Sequence, residues 1–382
     1  MTVMKPKNPF VLTSYISPEY FCDRKKETRR TIDAVTNGRN LVIFSLRRLG
    51  KTQLIKHSFH FLKNEKDCTV IYLDILHTRN LKEFTQTFGD AIFSAISKNS
   101  SSILEVAAKV ISNLRLSLSY DAFTGQPSLQ FDLRDAREAE TTLTQLFGYL
   151  TGQKQEIVVA IDEFQQISHY PEKNVEALLR SLISGCGNVK FIFSGSSSHL
   201  LVSMFNSATH PFYGSAELMK LEKIEREEYV NFITGILDKH GKKIDRETVC
   251  AVLDWCRDHT FYVQYTFNKL FNATDKKIEE RDVTEIKRTI LEENEPAYYT
   301  YYRLLTKTQW DLLAAIGNEP DGATGIYSNS FIQKHHLAST SSVRTAMHAL
   351  LLRELIYEED EKYFVYDVFL GRWLGKELGI RC

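Results

Sequence analysis

The strongest constraint on the fold is a set of short apolar runs separated by helical sequence. Each run has the length of a β-strand and lacks the alternation of a half-exposed strand, which is typical of strands buried on both faces of a parallel sheet. The runs are residues 40–45, 69–73, 157–161 and 189–193, and helical stretches lie at 25–37, 49–62, 81–98 and 172–182. This alternation of strands and helices predicts an α/β fold with a parallel sheet sandwiched by helices.

An insertion interrupts this alternation between the second and third runs. Residues 114–120 and 128–133 alternate between polar and apolar side chains, and the turn-rich residues 121–127 lie between them. A period of two on both sides of a turn that contains Gly and Pro is typical of a β-hairpin. We therefore expect an inserted antiparallel hairpin at about residues 112–134.

The composition is that of a globular protein whose charges balance. The 382 residues include 48 Lys and Arg, 48 Asp and Glu, and 43% hydrophobic residues, which excludes disordered, collagen-like and coiled-coil chains. Because the net charge is zero, the chain as a whole is not expected to coat nucleic acid or an anionic membrane. The positive charge is local, since residues 22–66 hold twelve basic and four acidic side chains.

The cysteines and the apolar segments predict a cytoplasmic protein that is not inserted in a membrane. Six cysteines are scattered without a Cys-x-x-Cys pair or zinc-ligand spacing, as in reduced proteins of the cytosol. The first ten residues lack the apolar core of a signal peptide. Residues 191–216 carry no Asp, Glu, Lys or Arg, but their glycines, proline, histidines and serines exclude a bilayer helix.

One loop carries the residue pattern of a phosphate-binding site. It directly follows the first apolar run, opens a helix and contains the triplet Gly50, Lys51 and Thr52. Such loops point backbone N–H groups at a phosphate, while the Lys reaches the β- and γ-phosphates and the Thr hydroxyl holds Mg²⁺. Ser45 stands where the usual pattern has its first glycine. We expect nucleotide contacts along the whole loop, from Ser45, Leu46, Arg47, Arg48, Leu49, Gly50, Lys51, Thr52 and Gln53.

The third apolar run ends in two acids, which is the partner that a phosphate loop requires. Asp162 is expected to orient Mg²⁺ together with Thr52, and Glu163 to polarise the attacking water. The alternative is a strand that merely ends in acids at a helix cap, and the phosphate loop upstream disfavours it. After the fourth run, Ser194 or Ser196 is expected to sense the γ-phosphate, although a serine-rich turn that caps the next helix is an equal alternative. The predicted catalytic residues are Lys51, Asp162, Glu163 and Ser194.

These motifs, in this order, resemble the archaeal-type ATPase family, a branch of the AAA+/STAND P-loop NTPases, in its Bacteroides-like form. The loop at 45–52 is similar to the family's S-P-R-R-x-G-K-T pattern, with Leu46 where the family often has Pro. The missing first glycine is therefore a family trait. Downstream landmarks of the family match at 162–165, 193–196 and 211–214.

The resemblance extends to the beginning of the chain. Residues 20–27 are similar to the family's F-x-x-R-x-x-E element, which implies that Phe21 and Arg24 lie near the adenine of ATP. Arg47 and Arg48 within the loop would pack on the nucleotide, on a neighbouring copy or on the lid, or would be solvated. The resemblance thus implies ATP and Mg²⁺ as ligands, and it admits a nucleotide-dependent homo-oligomer.

The remaining chain predicts two further domains. After about residue 221 the sequence is charged and helical without strand runs, and from 301 three helices precede two short strands around an acidic turn, the outline of a winged helix. We expect four parts: an N-terminal segment with the adenine-side motif at 1–28, the P-loop ATPase domain at 29–221, a helical lid at 222–300 and a winged helix at 301–382. Residues 259–264 resemble the lid motif of the family, with both its Gly and its Pro replaced.

The winged helix offers a candidate surface for a partner. If the partner is DNA, the helix that begins at Ser341 would read it through Arg344, Thr345 and His348. Residues 301–382 hold nine basic and ten acidic side chains, however, and DNA affinity depends on the neutralisation of phosphates. These charges favour a protein contact or a nucleotide-gated regulatory role over DNA.

Two functions follow as hypotheses. In the first, the chain binds Mg·ATP and hydrolyses it slowly, as STAND-type relatives are thought to do, and the lid and winged helix move with the nucleotide state. In the second, the chain is a DNA- or protein-binding regulatory module in which the nucleotide is structural.

Overall fold

The structure is a computed structural model that describes residues 5–66, 68–97, 116–120, 127–131 and 133–379. The chain divides into two compact units. The first unit is Thr13–Lys223, and the second is Ile224–Cys382 together with the N-terminal residues up to Leu12. The predicted N-terminal segment at 1–28 is therefore shared between both units.

A parallel sheet forms the centre of the first unit. Within the described residues its strands follow the order β2-β5-β6-β1-β7, and each neighbouring pair is parallel. This confirms the α/β fold and all four predicted strands. In chain order the strands of this unit are β1 (Leu41–Phe44), β2 (Thr69–Asp74), β3 (Leu116–Tyr120), β4 (Pro127–Phe131), β5 (Ile157–Asp162), β6 (Val189–Gly195) and β7 (Glu217–Lys220).

Strand β7 lies at an edge of this sheet and was not predicted, because its sequence contains no apolar run. It pairs with β1, with Leu218 opposite Val42, and charged residues occupy both of its ends. Edge strands commonly carry charges because one of their sides remains open to solvent. A four-residue strand of this composition lacks the continuous hydrophobicity by which the four predicted strands were identified.

Helices cover both faces of the sheet because neighbouring residues of each strand point to opposite sides. On β1, Leu41 and Ile43 pack with the first two helices, whereas Val42 packs with the other four. The two clusters bury the apolar residues of the inner strands, as in a sheet sandwiched by helices. The helices are α1 (Lys25–Thr36), α2 (Lys51–Glu65), α3 (Leu81–Ser97), α4 (Ala136–Thr151), α5 (Val175–Ser184) and α6 (Ser198–Asn206).

The inserted hairpin is described only in its two strands. β3 and β4 pair antiparallel, with Leu118 opposite Leu129, as the period of two predicts. Of the expected insertion at 112–134, residues 112–115, 121–126 and 132 lie outside the described residues, and so does most of the predicted turn.

The second unit begins with four helices and one pair of very short strands. The helices are α7 (Arg226–Lys239), α8 (Arg246–Cys256), α9 (Thr260–Ala273) and α10 (Glu280–Leu304), and the strands are β8 (Lys243–Ile244) and β9 (Lys277–Ile278), which pair parallel. The expectation of an all-helical module is wrong in this respect, because a two-residue strand is too short to produce a periodic signal.

The winged helix follows and is confirmed. Its helices are α11 (Lys307–Gly317), α12 (Asn329–Lys334), α13 (Thr340–Leu352) and the final α14 (Val368–Gly379), which the sequence analysis did not anticipate. Strands β10 (Ile356–Glu359) and β11 (Lys362–Val365) pair antiparallel around the acidic turn. In that turn Asp360 and Glu361 have φ values of 50° and 61°.

The predicted boundary between lid and winged helix, at 300/301, falls inside the continuous helix α10. This helix has 25 residues and contains Pro296. Its buried Tyr298 packs on Trp373 of α14, with 5.4 Å between the ring centroids. The helix therefore belongs to both predicted domains.

Further contacts join the predicted lid to the winged helix. Arg372 of α14 donates hydrogen bonds to the carbonyl oxygens of Trp255 (2.9 Å) and Asp254 (2.7 Å) at the end of α8. Tyr262, the buried tyrosine of the predicted lid motif, lies edge-on against Phe369 at 4.7 Å. Among the described helices, none is long and apolar enough to cross a membrane.

Candidate functional site

The phosphate-loop pattern lies between β1 and α2, as its sequence predicts. Gly50 caps α2 with a φ of 96°, in the left-handed region that side chains with a Cβ rarely adopt. Lys51 is the first residue of the helix. The free backbone N–H groups of the first helical turn and the positive end of the helix dipole therefore face the loop.

The ammonium group of Lys51 is buried within this loop. Its Nζ donates hydrogen bonds to the carbonyl oxygens of Ser45 and Leu46, both at 3.1 Å, and to Ser45 Oγ at 3.2 Å. Only 6% of the residue is exposed. The three oxygen atoms that accept from the ammonium belong to Ser45 and Leu46, at the place where the sequence predicts phosphates.

Asp162, at the end of β5, is the centre of a buried hydrogen-bond network. Its Oδ2 accepts from Thr52 Oγ1 at 2.5 Å and from Tyr72 OH at 2.9 Å. Its Oδ1 accepts from Ser194 Oγ at 2.6 Å and from the backbone N–H of Glu163 at 3.1 Å. The structure therefore brings together Thr52 and Asp162, the two residues predicted to hold Mg²⁺.

Tyr72 and Asp74 of β2 also belong to this edge of the sheet, and the sequence analysis missed both. Burial, followed by the charge of Asp162, raises the pKa of Tyr72, so its hydroxyl remains a donor at neutral pH. Asp74 lies opposite Asp162 in the strand register. Partial desolvation raises the pKa of Asp74, the hydrogen bond from the Leu76 backbone N–H opposes this increase, and the nearby Asp162 and Glu163 add to it. Both residues could have been predicted from the rule that parallel strands end at a common edge of the sheet.

Glu163 is held by three donors on one carboxylate oxygen. Its Oε2 accepts from Gln165 Nε2 at 2.6 Å, from Ser196 Oγ at 2.8 Å and from the Ser196 backbone N–H at 3.2 Å. Arg47 of the phosphate loop donates from Nε to Ser196 Oγ at 3.3 Å. The two candidate sensor serines therefore contact different acids: Ser194 bonds to Asp162, and Ser196 bonds to Glu163.

The remaining loop residues differ in exposure. Arg47 and Arg48 are exposed, whereas the side chain of Leu49 is buried. Leu46 offers its carbonyl oxygen to Lys51. Gln53 Oε1 is buried and accepts no hydrogen bond from the part of the chain that the structure describes.

The two predicted adenine-side residues have different surroundings. Arg24 is buried, and its guanidinium donates to the Leu49 carbonyl oxygen at 3.3 Å and to Glu27 Oε1 at 2.9 Å. Arg24 therefore links the start of α1 to the phosphate loop. Phe21 stacks on His57 of α2, with 4.1 Å between the ring centroids.

The three predicted DNA contacts lie on the exposed side of α13. Arg344, Thr345 and His348 are exposed, while the opposite side of the helix is buried in the winged helix. The Arg344 guanidinium lies 5.3 Å from the ring centroid of Tyr327. The side chains thus share one face, which is the arrangement that a recognition helix requires.

Solved structures support the fold. The Walker-type ATPase PABY2304 of Pyrococcus abyssi superposes with a TM-score of 0.64 at 18% identity, over 96% of this chain and 99% of that chain. The Aeropyrum pernix ORC2 protein superposes with a TM-score of 0.56 at 13% identity, over 98% and 99%. The ORC1 protein of the same organism gives 0.53 at 12%, over 98% and 97%. At these identities the likeness shows the fold.

Comparison with curated proteins returned no match. The family model of a winged helix domain matches residues 296–376. The family model of an ATPase domain predominantly from Archaea matches residues 21–256, which include the phosphate loop, Asp162, Glu163 and both serines. The chain therefore belongs to this family of P-loop ATPases, as the resemblance of its motifs predicted.

Proposed function

We propose that the protein binds Mg·ATP at the carboxyl edge of its sheet and hydrolyses it slowly to ADP and phosphate. The observation that carries the proposal is the 2.5 Å hydrogen bond between Thr52 Oγ1 and Asp162 Oδ2, next to the loop that buries Lys51. A hydroxyl at a helix start and a carboxylate at the end of a neighbouring strand are the donor set by which P-loop enzymes hold Mg²⁺.

Lys51 supplies the charge for binding. Its ammonium exchanges the neutral acceptors of Ser45 and Leu46 for the β- and γ-phosphate oxygens, which form stronger, charge-assisted hydrogen bonds. The backbone N–H groups around Gly50 add further donors from the loop. Residues 45–53 are proposed to enclose the phosphates, and Phe21 and Arg24 to lie on the adenine side.

Thr52 and Asp162 would hold the metal ion, and the oxygen atoms of both fit Mg²⁺, which prefers hard oxygen ligands. Bound Mg²⁺ neutralises charge that develops on the phosphates. Tyr72 and Ser194 keep the Asp162 carboxylate in one orientation through their hydrogen bonds. We therefore assign Ser194 a role at Asp162, and through it at the γ-phosphate.

Glu163 is the proposed water-orienting base. It follows Asp162 directly, and its side chain is half-buried at the same edge. The solved ORC2 structure is described as ADPNP and ADP complexes, which supports a nucleotide at this site. We further propose that the nucleotide state acts as a switch on the lid and winged helix, in a cytoplasmic protein with a nucleotide-dependent homo-oligomer as one mode of action.

Phosphate release tests this proposal. Wild-type protein is compared with Lys51→Ala and Glu163→Gln, and Lys63→Ala serves as the control because Lys63 is an exposed lysine of the same helix. We expect at least 100-fold slower turnover for the first two variants and unchanged turnover for Lys63→Ala. Equal rates in all four proteins would refute hydrolysis at this site and leave the alternative, in which the nucleotide is structural.

The winged helix is proposed to contact a protein partner rather than DNA. Two apolar side chains, Leu304 and Leu352, are 66% and 72% exposed, and Arg353 next to Leu352 donates to the Leu304 carbonyl oxygen. Contiguous exposed apolar surface marks protein interfaces, and we propose that Leu304 and Leu352 contribute to such a surface. The acidic turn at 358–361 opposes binding to DNA phosphates.

DNA remains the second candidate, because Arg344, Thr345 and His348 share an exposed face and because the solved ORC1 structure is described as a complex with DNA. A salt titration with generic duplex DNA separates the two. Binding that weakens with salt and is lost in Arg344→Ala would favour DNA, whereas no binding at low ionic strength would remove it.

A further inference from the structure

We infer that Gln165 is the positioning residue of Glu163 and that Gly195 makes this position available. The inference rests on the proposed function, since it concerns the residue assigned there as water-orienting base. Neither residue carries a predicted role in the sequence motifs.

The two oxygens of the Glu163 carboxylate have contrasting environments. Oε2 accepts hydrogen bonds from Gln165 and from two groups of Ser196. Oε1 has no hydrogen bond to any residue that the structure describes. One oxygen is thus anchored, and the other is left for a water molecule.

The backbone explains why the residue two positions further along the chain can reach Glu163. Glu163 has a φ of 57° and caps the short 3₁₀ helix Phe164–His169. This left-handed turn folds the chain back, so the side chain of Gln165 returns to the preceding carboxylate at 2.6 Å. A left-handed conformation at a non-glycine residue costs free energy and persists only where the surroundings enforce it.

The position of the Gln165 amide is unfavourable for one of its two polar atoms. Its Oε1 is buried and accepts no hydrogen bond within the described residues. A buried polar atom without a hydrogen-bond partner destabilises the folded protein, so a stabilising effect of this atom does not explain why a glutamine occupies the position. The amide is assigned with Nε2 towards Glu163, because the reverse assignment would point Oε1 at the carboxylate. The group that the position requires is therefore the N–H donor.

Gly195, the last residue of β6, provides the space for this amide. A Cβ added at Gly195 would lie 1.9 Å from Gln165 Oε1, which is far too close for two non-bonded atoms. A larger residue at position 195 would therefore require the Gln165 amide to shift from the position in which it reaches Glu163. The glycine at the end of β6 and the glutamine in the 3₁₀ helix after β5 therefore act together.

Steady-state kinetics of Gln165→Met test the inference, because methionine keeps the approximate volume and shape but donates no hydrogen bond. We expect kcat to fall 10- to 100-fold, the loss typical of a catalytic group that is displaced by about 1 Å, with KM unchanged. Gly195→Ala should likewise lower kcat and leave KM unchanged, because the added methyl group displaces the amide. Gln166→Ala is the matched control, since Gln166 donates to the Thr78 carbonyl oxygen instead.

A double variant adds a readout that a general loss of stability would not produce. Combined with Glu163→Gln, Gln165→Met should lower kcat no further, because both act through one carboxylate. An unchanged or increased kcat in Gln165→Met and Gly195→Ala would overturn the inference, and so would additive losses in the double variant.

The affinity for a non-hydrolysable ATP analogue, measured by fluorescence, shows that each variant is folded, and we expect it to stay at the wild-type value. If Glu163→Gln itself leaves turnover unchanged, the proposed function fails. If Glu163→Gln abolishes turnover but the Gln165 and Gly195 variants do not lower it, only the present inference fails.

Discussion

Polar side chains occur in two contrasting settings in this protein. At the carboxyl edge of the central sheet they are buried or half-buried and bonded to one another, as in the hydrogen bonds that Thr52, Tyr72 and Ser194 donate to Asp162. On helix α13 of the winged helix they are exposed, and Arg344 packs on the ring of Tyr327. The first set is held in place by the chain itself. The second set is free to meet a partner.

This difference predicts how each region responds to mutation. A buried acceptor that is removed leaves its donors without partners, which costs about 1–3 kcal/mol per group. An exposed side chain that is removed is replaced by water, and stability changes by about 0.5 kcal/mol or less. Mutations at the sheet edge should therefore lower stability more than mutations on the exposed side of α13. Mutations on α13 should instead have the larger effect on the binding of a partner by the winged helix.

The largest effect is expected for Asp162→Ala. It leaves Thr52, Tyr72 and Ser194 without their acceptor in a buried site, so the free energy of unfolding should fall by about 3 kcal/mol. Urea titration measures it, with Thr345→Ala on the exposed side of α13 as the control. A loss of equal size in both variants would contradict the contrast between the two regions.

A smaller effect is expected from the buried His57. Burial, with a contribution from His60, lowers the pKa of His57 to about 4 from its ordinary 6.5. Because the folded-state value is the lower one, protonation favours the unfolded chain: stability is full above pH 6.5 and is lost as the pH falls from 6.5 towards 4. The loss should be about 1–2 kcal/mol, less than the full shift because the ring keeps some solvent contact.

His57→Phe should remove this pH dependence and keep the stacking with Phe21. Urea titrations at pH 7 and pH 5 measure the difference, and His348→Gln, on the exposed side of α13, serves as control. If His57→Phe loses as much stability at pH 5 as the wild type does, another group is responsible.

Tyr72→Phe is expected to have a third, more specific effect. It removes one of the two donors to Asp162 Oδ2 without leaving a buried donor behind, so stability should fall by only about 1 kcal/mol. The carboxylate becomes less constrained, and we expect the Mg²⁺ concentration for half-maximal ATP binding to rise several-fold. Binding of ATP in EDTA should not change, and a change there would assign Tyr72 to the nucleotide rather than to the metal.

The smallest effect on stability is expected for Leu352→Ser on the winged helix. Leu352 is 72% exposed, so the free energy of unfolding should change by about 0.5 kcal/mol or less. Capture of the proposed protein partner from native lysate, by the Glu163→Gln form, should nevertheless weaken. Undiminished capture together with a large loss of stability would show that Leu352 packs within the fold instead of serving a partner.

The sequence was sufficient for features that depend on neighbouring residues. The inner strands are continuous apolar runs because both of their faces are buried, and the phosphate loop follows directly from the Gly-Lys-Thr triplet after a strand. The edge strand β7 could not be predicted in this way, because its charged ends conceal it. Helix α10 carried no signal that it continues through the predicted domain boundary at 300/301.

Contacts between distant positions were equally hidden. Tyr72 and Asp162 are 90 positions apart, and they meet only because β2 and β5 are neighbours with Asp74 opposite Asp162. Gln165 lies in a recognised motif, but its role depends on the left-handed turn at Glu163 and on the space at Gly195. Strand order and backbone conformation create these relations, and a list of motifs does not contain them.

The helix α10 has a mechanical consequence. It spans 25 residues, which at 1.5 Å per residue is about 37 Å, and it is shared by the predicted lid and the winged helix. The bonds from Arg372 to Trp255 and Asp254, and the packing of Tyr262 on Phe369, fasten the same two parts at other points. The predicted lid helices and the winged helix are thus joined at several points, so we expect a displacement of one to move the other.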